Sequence, residues 1–124
     1  MEKIVLLDTN ILIEILKSKQ ETISKIQGMD CRFAISSITQ MELFFGALDK
    51  KELNMLEKFT DRFLVIDINE DISKLATKLV FLYAKSHNLN IPDALIASTA
   101  MFYDIELFTY NLKDFRYIKQ LKLI

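Results

Sequence analysis

Glycine, proline, cysteine and histidine are scarce in this 124-residue chain. Two glycines and one proline are too few for an all-β architecture with many tight turns. A single cysteine excludes an intramolecular disulfide and a zinc site with several cysteine ligands, and a single histidine argues against a histidine-rich metal site. The ligands of any bound metal would have to be mostly carboxylates, which select hard ions.

An excess of one charge sign and a long apolar run are also missing. Lysine and arginine total 16 against 17 acidic residues, so a basic surface spread over the whole chain is absent. The longest apolar run covers residues 79–84, far short of the roughly 20 residues that span a membrane. Residues 4–7 are the four apolar residues before the first aspartate, too short a run for a signal peptide. These absences predict a cytoplasmic protein without a membrane partner.

Hydrophobic residues are abundant, at 51% of the chain, beside 27% charged residues, which is typical of a folded domain. The length predicts one domain over residues 1–124. A mean hydropathy of +0.18 indicates that a partner covers some apolar surface. Residues 43–45 (Leu-Phe-Phe) and a wide apolar face over residues 69–87 exceed what one sheet face needs. We therefore predict a homodimer.

Short apolar runs alternate with helical patterns along the chain. An alternation of this kind predicts an α/β protein whose central sheet is mostly parallel, has four to five strands and is covered by helices on both faces. Strands are predicted at residues 4–7, 32–36, 63–66 and 106–109, with an edge strand at 121–123. Helices are predicted at residues 10–17, 22–27, 39–47, 52–59, 69–87 and 92–103, with a helical turn at 112–115.

Three acids lie near strand-to-helix junctions of this pattern, namely Asp8, Glu42 and Asp93. Each has a local explanation: Asp8 caps a helix, Glu42 completes a capping box with Thr39, and Asp93 favours a helix dipole. Junctions of this kind converge at one edge of a parallel sheet, where three carboxylates would repel one another. A divalent cation removes that repulsion, and oxygen ligands favour Mg²⁺ or Mn²⁺.

Four short segments resemble the ordered motifs of PIN domains. Residues 7–10 (Leu-Asp-Thr-Asn) resemble the opening Asp-x-Asn, and residues 36–43 resemble the serine- and threonine-rich segment that ends in a helical glutamate. Residues 92–97 (Pro-Asp-Ala-Leu-Ile-Ala) resemble the motif Asp-x-x-Ile-Ala, and residues 107–115 resemble the closing Thr-x-Asn-x-x-Asp-Phe. The size and the pattern are similar to those of VapC-type toxins, the ribonuclease half of bacterial toxin–antitoxin pairs.

This resemblance implies a three-layer α/β/α PIN-like fold and a metal-dependent endoribonuclease. It implies Mg²⁺ as cofactor, with Mn²⁺ as the alternative, RNA as substrate and a cognate VapB-type antitoxin as protein partner. Cleavage would use a metal-activated water and leave a 5′-phosphate. The metal-binding and catalytic acids matched by the family motifs are Asp8, Glu42 and Asp93.

The fourth acidic position of the family is open between two residues. Asn111 stands where relatives often have aspartate, and Asp114 follows three residues later. We favour Asp114 as an accessory catalytic acid and Asn111 as a polar side chain that positions others. The hydroxyl and amide groups expected to orient the carboxylates belong to Thr9, Asn10, Thr109 and Asn111.

Two other functions remain open at this point. The first is a catalytically inactive PIN-like module that binds RNA or protein. The second is a receiver-type phosphoacceptor domain, with Asp67 as acceptor and Thr109 as switch residue, although the sequence lacks the usual pair of adjacent acids after the first strand. His87 is interpreted as a residue that favours the dipole at the end of a long helix.

Overall fold

The computed structural model describes residues 2–124, and a sheet of four parallel strands lies at its centre. The strands are β1 (Ile4–Leu7), β2 (Arg32–Ser36), β3 (Leu64–Ile66) and β4 (Glu106–Phe108). They lie in the order β3-β2-β1-β4, so β2 and β4 flank β1 on opposite sides. The carboxyl ends of parallel strands share one edge, and the strand order reverses beside β1. Open α/β sheets bind their ligands at such a reversal.

Helices connect the strands and cover both faces of the sheet. None of the helices in residues 2–124 combines the length and the apolar character needed to cross a membrane. The helices are α1 (Thr9–Leu16), α2 (Gln20–Gln27), α3 (Ser37–Phe45), α4 (Lys50–Thr60), α5 (Glu70–His87) and α6 (Ile91–Tyr103), followed by the 3₁₀ helix η1 (Leu112–Asp114).

Two apolar cores lie on opposite faces of the sheet. Successive side chains of β1 point to opposite faces, so Leu6 enters one core while Val5 and Leu7 enter the other. The first core contains the buried faces of α5 and α6 and the C-terminal segment, and the second contains those of α1, α3 and α4. This arrangement is the predicted three-layer α/β/α fold, and the number of strands lies within the predicted four to five.

Side-chain caps fix where most helices begin. Five residues placed immediately before a helix accept a hydrogen bond from a backbone N–H of its first turn. These caps start several helices one or two residues earlier than the apolar periodicity predicts, because the first turn of a helix need not be apolar. The capping residues are Asp8, Ser36, Asp49, Asn69 and Asn90.

The predicted edge strand at residues 121–123 is reduced to one parallel bridge between Leu107 and Leu123. The Leu107 N–H donates to the Lys122 carbonyl at 2.8 Å, and the Ile124 N–H donates to the Leu107 carbonyl at 3.0 Å. Phe115 and Ile118 are buried in the core and hold the turns that precede residues 121–123 there. Only the residues that follow these turns pair with β4.

Candidate active site at the carboxyl edge of the sheet

Asp8 directly follows β1 and is buried at the point where the strand order reverses. One carboxylate oxygen accepts the Thr9 N–H at 2.8 Å and therefore caps α1. The other accepts the Thr109 hydroxyl at 2.7 Å, which connects β1 to the residue that follows β4. Asp8 is thus both the predicted helix cap and a member of the predicted site, with its carboxylate orientation fixed by two donors.

Glu42 lies in α3 and reaches the site from the next strand along the sheet. Its carboxylate accepts the Thr9 hydroxyl at 2.8 Å, and that hydroxyl also lies 2.9 Å from the Thr39 hydroxyl. The capping-box explanation of Glu42 is wrong, because α3 begins at Ser37 and its cap is Ser36, whose hydroxyl accepts the Ile38 N–H. The glutamate instead contacts the start of a different helix.

Asp93 lies in the first turn of α6, directly after Pro92. The Asn90 side chain accepts the Asp93 N–H at 2.8 Å, so Asn90 is the cap of α6 and Asp93 is the acidic residue of its first turn. Burial raises the pKa of Asp93 to about 6, and the negative charges of Asp8, Asp114 and Glu42 add to that rise. Asp93 therefore shares one electrostatic environment with the three other acids.

Thr109 is the centre of the hydrogen bonds beneath the site. Its buried hydroxyl donates to Asp8 and accepts the Asn111 N–H at 3.0 Å, with the Asn10 amide at 3.5 Å. Asn111 contributes this backbone N–H, while its side chain is exposed and does not cap η1. The structure thus joins Thr109, Asn10 and Asn111 to Asp8, but through the Asn111 backbone and not through its predicted polar side chain.

Asp114 lies at the end of η1, exposed at the same edge. Its charge acts on both Asp8 and Asp93 and raises the pKa of each. For Asp8 the largest cause of the raised pKa is burial, opposed by the donors Thr109 and Thr9, with the charges of Glu42 and Asp114 as smaller causes. Of the two candidates for the fourth acidic position, Asp114 is the one that supplies a carboxylate.

Thr9 donates to both Asp8 and Glu42, and the charges of the four acids influence one another without a salt bridge to any of them among residues 2–124. In the part of the chain that the structure describes, each salt bridge involves other carboxylates. No three carboxylate, imidazole or thiol groups within residues 2–124 are already close enough together to enclose a metal ion. The donor set is nevertheless made of oxygen atoms and carries uncompensated negative charge. It fits Mg²⁺ or Mn²⁺, because these ions keep several waters and need few direct protein ligands.

Comparison with known proteins shows the family to which the chain belongs. The family model described as "PIN domain" matches residues 5–121. Ribonuclease VapC1 from Methanocaldococcus jannaschii is 31% identical over 124 residues, which cover 98% of this chain and 86% of that protein. The chain is a PIN-domain protein of the VapC family. The resemblance carried by the four sequence motifs is thereby confirmed.

Solved structures agree with the fold of this PIN domain. A toxin–antitoxin complex from Klebsiella pneumoniae contains a chain with a TM-score of 0.80 and 32% identity, covering 97% of this chain and 95% of that one. DNA-bound VapBC from Salmonella typhimurium contains a chain with a TM-score of 0.85 and 26% identity, covering 100% of this chain and 98% of that one. The likeness therefore extends along the whole PIN domain.

Membership of the PIN-domain family contradicts the alternative that the chain is a receiver-type phosphoacceptor domain. Asp67, its acceptor, follows the edge strand β3, two strands away from Asp8. Asp67 is exposed beside an apolar groove lined by Leu64 and Tyr103, among others. Thr109, its switch residue, is the buried hydroxyl that donates to Asp8.

Sequence reasoning interpreted His87 only as a residue that favours a helix dipole and missed its part in an aromatic stack. The rings of His87 and Tyr117 lie 4.1 Å apart at an interplanar angle of 18°, and Tyr83 packs against both. Tyr83 and His87 are four residues apart on α5, a spacing that places them on one face of the helix. Tyr117 comes from the C-terminal segment, so only the tertiary fold brings the third ring to the stack.

Proposed function

We propose that this PIN domain is a divalent-metal-dependent endoribonuclease and the toxin of a VapBC-type pair. The observation that carries the proposal is the convergence of Asp8, Glu42, Asp93 and Asp114 without a cation at the reversal of strand order. The relative from M. jannaschii is named a ribonuclease, and a relative from S. typhimurium, 30% identical over 124 residues, is named a tRNA(fMet)-specific endonuclease. These names support RNA as the substrate class.

The residues of the chain have distinct tasks in this mechanism. Mg²⁺ or Mn²⁺ held by Asp8, Glu42 and Asp93 would neutralise phosphate charge and lower the pKa of a bound water. Thr9 and Thr109 fix the orientation of Asp8, and Thr9 also fixes Glu42. Asp114, exposed at the rim, accepts the proton of the attacking water on a carboxylate oxygen.

Hydrolysis then breaks one phosphodiester bond of the RNA. The water oxygen forms a bond to phosphorus, and the bond from phosphorus to the ribose 3′ oxygen breaks. The leaving oxygen takes up a proton, so the products carry a 5′-phosphate and a 3′-hydroxyl. Water, and not a ribose hydroxyl, is the nucleophile that the resemblance to VapC-type ribonucleases implies.

The experiment is an RNA cleavage assay with Mg²⁺, with EDTA, and with the Asp8→Asn variant. We expect cleavage with Mg²⁺, loss with EDTA that added Mg²⁺ reverses, and loss in Asp8→Asn. Analysis of the product ends should find a 5′-phosphate. Metal-independent cleavage would contradict the proposed chemistry. Binding of RNA without cleavage under any of these conditions would favour the inactive PIN-like module instead.

The protein partner is proposed to bind beside Glu42. A groove of about 440 Å³ between α1, α3 and α4 is lined mostly by apolar side chains, and the charged residues Lys17, Glu42 and Glu52 also line it. An amphipathic segment of a VapB-type antitoxin fits such a groove, and a basic side chain of that segment would reach the acids. The toxin–antitoxin complexes among the structural neighbours support this partner class. Met55→Asp in the groove should weaken antitoxin binding.

The predicted homodimer has a different candidate surface. Phe81 on α5 is 88% exposed and Leu82 is 50% exposed, a large apolar area to leave in water. We propose that this face of α5 forms the contact between two copies. Sedimentation should detect a dimer for the unmodified protein and a monomer for Phe81→Asp, while the groove variant Met55→Asp stays dimeric. A cytoplasmic location accords with an RNA substrate and stays a prediction.

A further inference from the structure

The rings of the aromatic stack come from segments that adjoin Asp93 and Asp114 in the chain. His87 is the last residue of α5, and three residues connect it to α6, whose first turn carries Asp93. Tyr117 lies three residues after Asp114. Burial, followed by the negative charges of Asp93 and Asp114, raises the pKa of the Tyr117 phenol. Tyr83 and Tyr117 also pack against the core that contains Ala94, the residue after Asp93, so the stack lies on the side of the fold that carries Asp93 and Asp114.

The imidazole of His87 is exposed, yet its ring is held in place from two sides. Its Nδ1 lies 2.8 Å from the Ser86 hydroxyl, and one ring face is stacked on Tyr117 at 4.1 Å. Tyr117 is itself held by Tyr83, at 5.0 Å between ring centroids, and its hydroxyl oxygen is buried. An exposed aromatic ring with a fixed plane loses little conformational entropy when a ligand stacks on it.

We infer that His87, supported by Tyr117, is a base-stacking subsite for unpaired RNA. A nucleobase lies on the outer face of the imidazole while a phosphodiester of the same strand lies at the acids. This inference rests on the proposed ribonuclease function and names a contact that the function itself does not require.

The electrostatics of the protein make such a contact useful. The net charge is −1, and the four acids repel phosphate before a cation is bound. Stacking on a π face does not depend on that charge, and every base has such a face, so the subsite tolerates different sequences. Proteins read unpaired RNA mainly by splaying bases onto aromatic side chains.

The test measures binding of a short unpaired oligoribonucleotide in EDTA, by fluorescence anisotropy, so that cleavage does not interfere. His87→Ala and His87→Leu remove the flat face, the second without loss of bulk, and we expect each to weaken binding about tenfold. His87→Phe restores a flat face and should bind like the unmodified protein. An abasic ribose–phosphate oligomer of equal length should bind all four proteins equally weakly.

Phe102→Ala is the matched control. Phe102 is also exposed and packed against a neighbouring ring, Tyr103, but it lies at the far end of α6 from Asp93. Its removal should leave RNA binding unchanged. Unchanged binding in His87→Ala and His87→Leu, or weak binding in His87→Phe, would overturn the inference even if the protein cleaves RNA. An unmodified protein that neither binds nor cleaves RNA would overturn the proposed function itself.

Discussion

The two edges of the sheet differ in whether the charges beside β1 and β4 are paired with an opposite charge. At the amino edge, Lys3 lies before β1 and its ammonium group is 2.7 Å from the carboxylate of Glu106, the first residue of β4. At the carboxyl edge, Asp8 follows β1 and Thr109 follows β4, and the nearby charges are those of further acids. The same two strands therefore end in a compensated pair on one side and in uncompensated charge on the other.

The pKa shifts reflect this difference. The hydrogen bond to Glu106 raises the pKa of Lys3, which favours the charged form that is already present. Burial and like charges raise the pKa values of Asp8 and Asp93, which disfavours their charged forms. A fold optimised for stability alone would not bury carboxylates such as Asp8 and Asp93 among like charges. An acidic cluster without a counter-charge therefore indicates a place where a ligand supplies the missing positive charge.

The largest expected effect separates the two edges by activity. Glu42→Gln should lower RNA cleavage at least ~100-fold, because the neutral amide removes negative charge that would hold a cation. Glu106→Gln removes the same charge at the opposite edge and should change cleavage less than about twofold, since only the exposed pair with Lys3 is lost. Equal losses in both variants would show that the acids act through general stability or net charge.

A smaller effect is expected when the orientation of Asp8 is disturbed. Thr109→Val keeps the side-chain shape but removes the donor to Asp8, and cleavage should fall about 10- to 100-fold. The buried hydroxyl also accepts the Asn111 N–H, so the free energy of unfolding should fall by about 1–2 kcal/mol.

Thr60→Val is the control for this loss of stability. Thr60 is buried and hydrogen-bonded to Gln40 and to the Glu57 carbonyl, and the variant should lose a similar stability. Activity measured well below both unfolding temperatures should nevertheless stay near that of the unmodified protein. If Thr60→Val loses as much activity as Thr109→Val, the hydrogen bond to Asp8 has no special role in cleavage.

The smallest effect concerns the stability of the metal-free protein. Asp93→Asn should raise the free energy of unfolding at pH 8 by about 1–2 kcal/mol, because the variant no longer places a charge among like charges. The pKa of Asp93 is about 6 in the folded protein against 3.8 as its ordinary value, so the folded state binds this proton more tightly. The contribution of Asp93 to stability therefore falls as pH rises from about 4 to about 6.

Thermal unfolding in EDTA at several pH values tests this sign. The advantage of Asp93→Asn should be greatest at pH 8 and should vanish towards pH 4, where Asp93 is protonated in the unmodified protein. Lys3→Gln, which breaks the exposed pair at the other edge, should leave the unfolding temperature almost unchanged at every pH. An advantage of Asp93→Asn that does not change with pH would contradict the charge-repulsion argument.

The helices and strands were largely predictable because local patterns determine them. Apolar runs gave β1 and β2 with the observed bounds, and the periodicity of residues 69–87 gave α5 to within one residue. Caps decided the helix starts that the periodicity missed. The capping-box interpretation of Glu42 failed because Ser36 and Thr39 are both good capping residues, and spacing alone does not choose between them.

The sequence by itself determined the alternation of strands and helices, the family motifs and the residues expected at the site. Whether residues distant in sequence meet was decided by the tertiary structure, since contacts such as that of Asp8 with Thr109 join positions 101 residues apart. The contact of Glu42 with Thr9 and the placement of Tyr117 on His87 belong to this second class. Local propensity acts within a few residues, whereas burial and electrostatic repulsion depend on which surfaces the fold brings together.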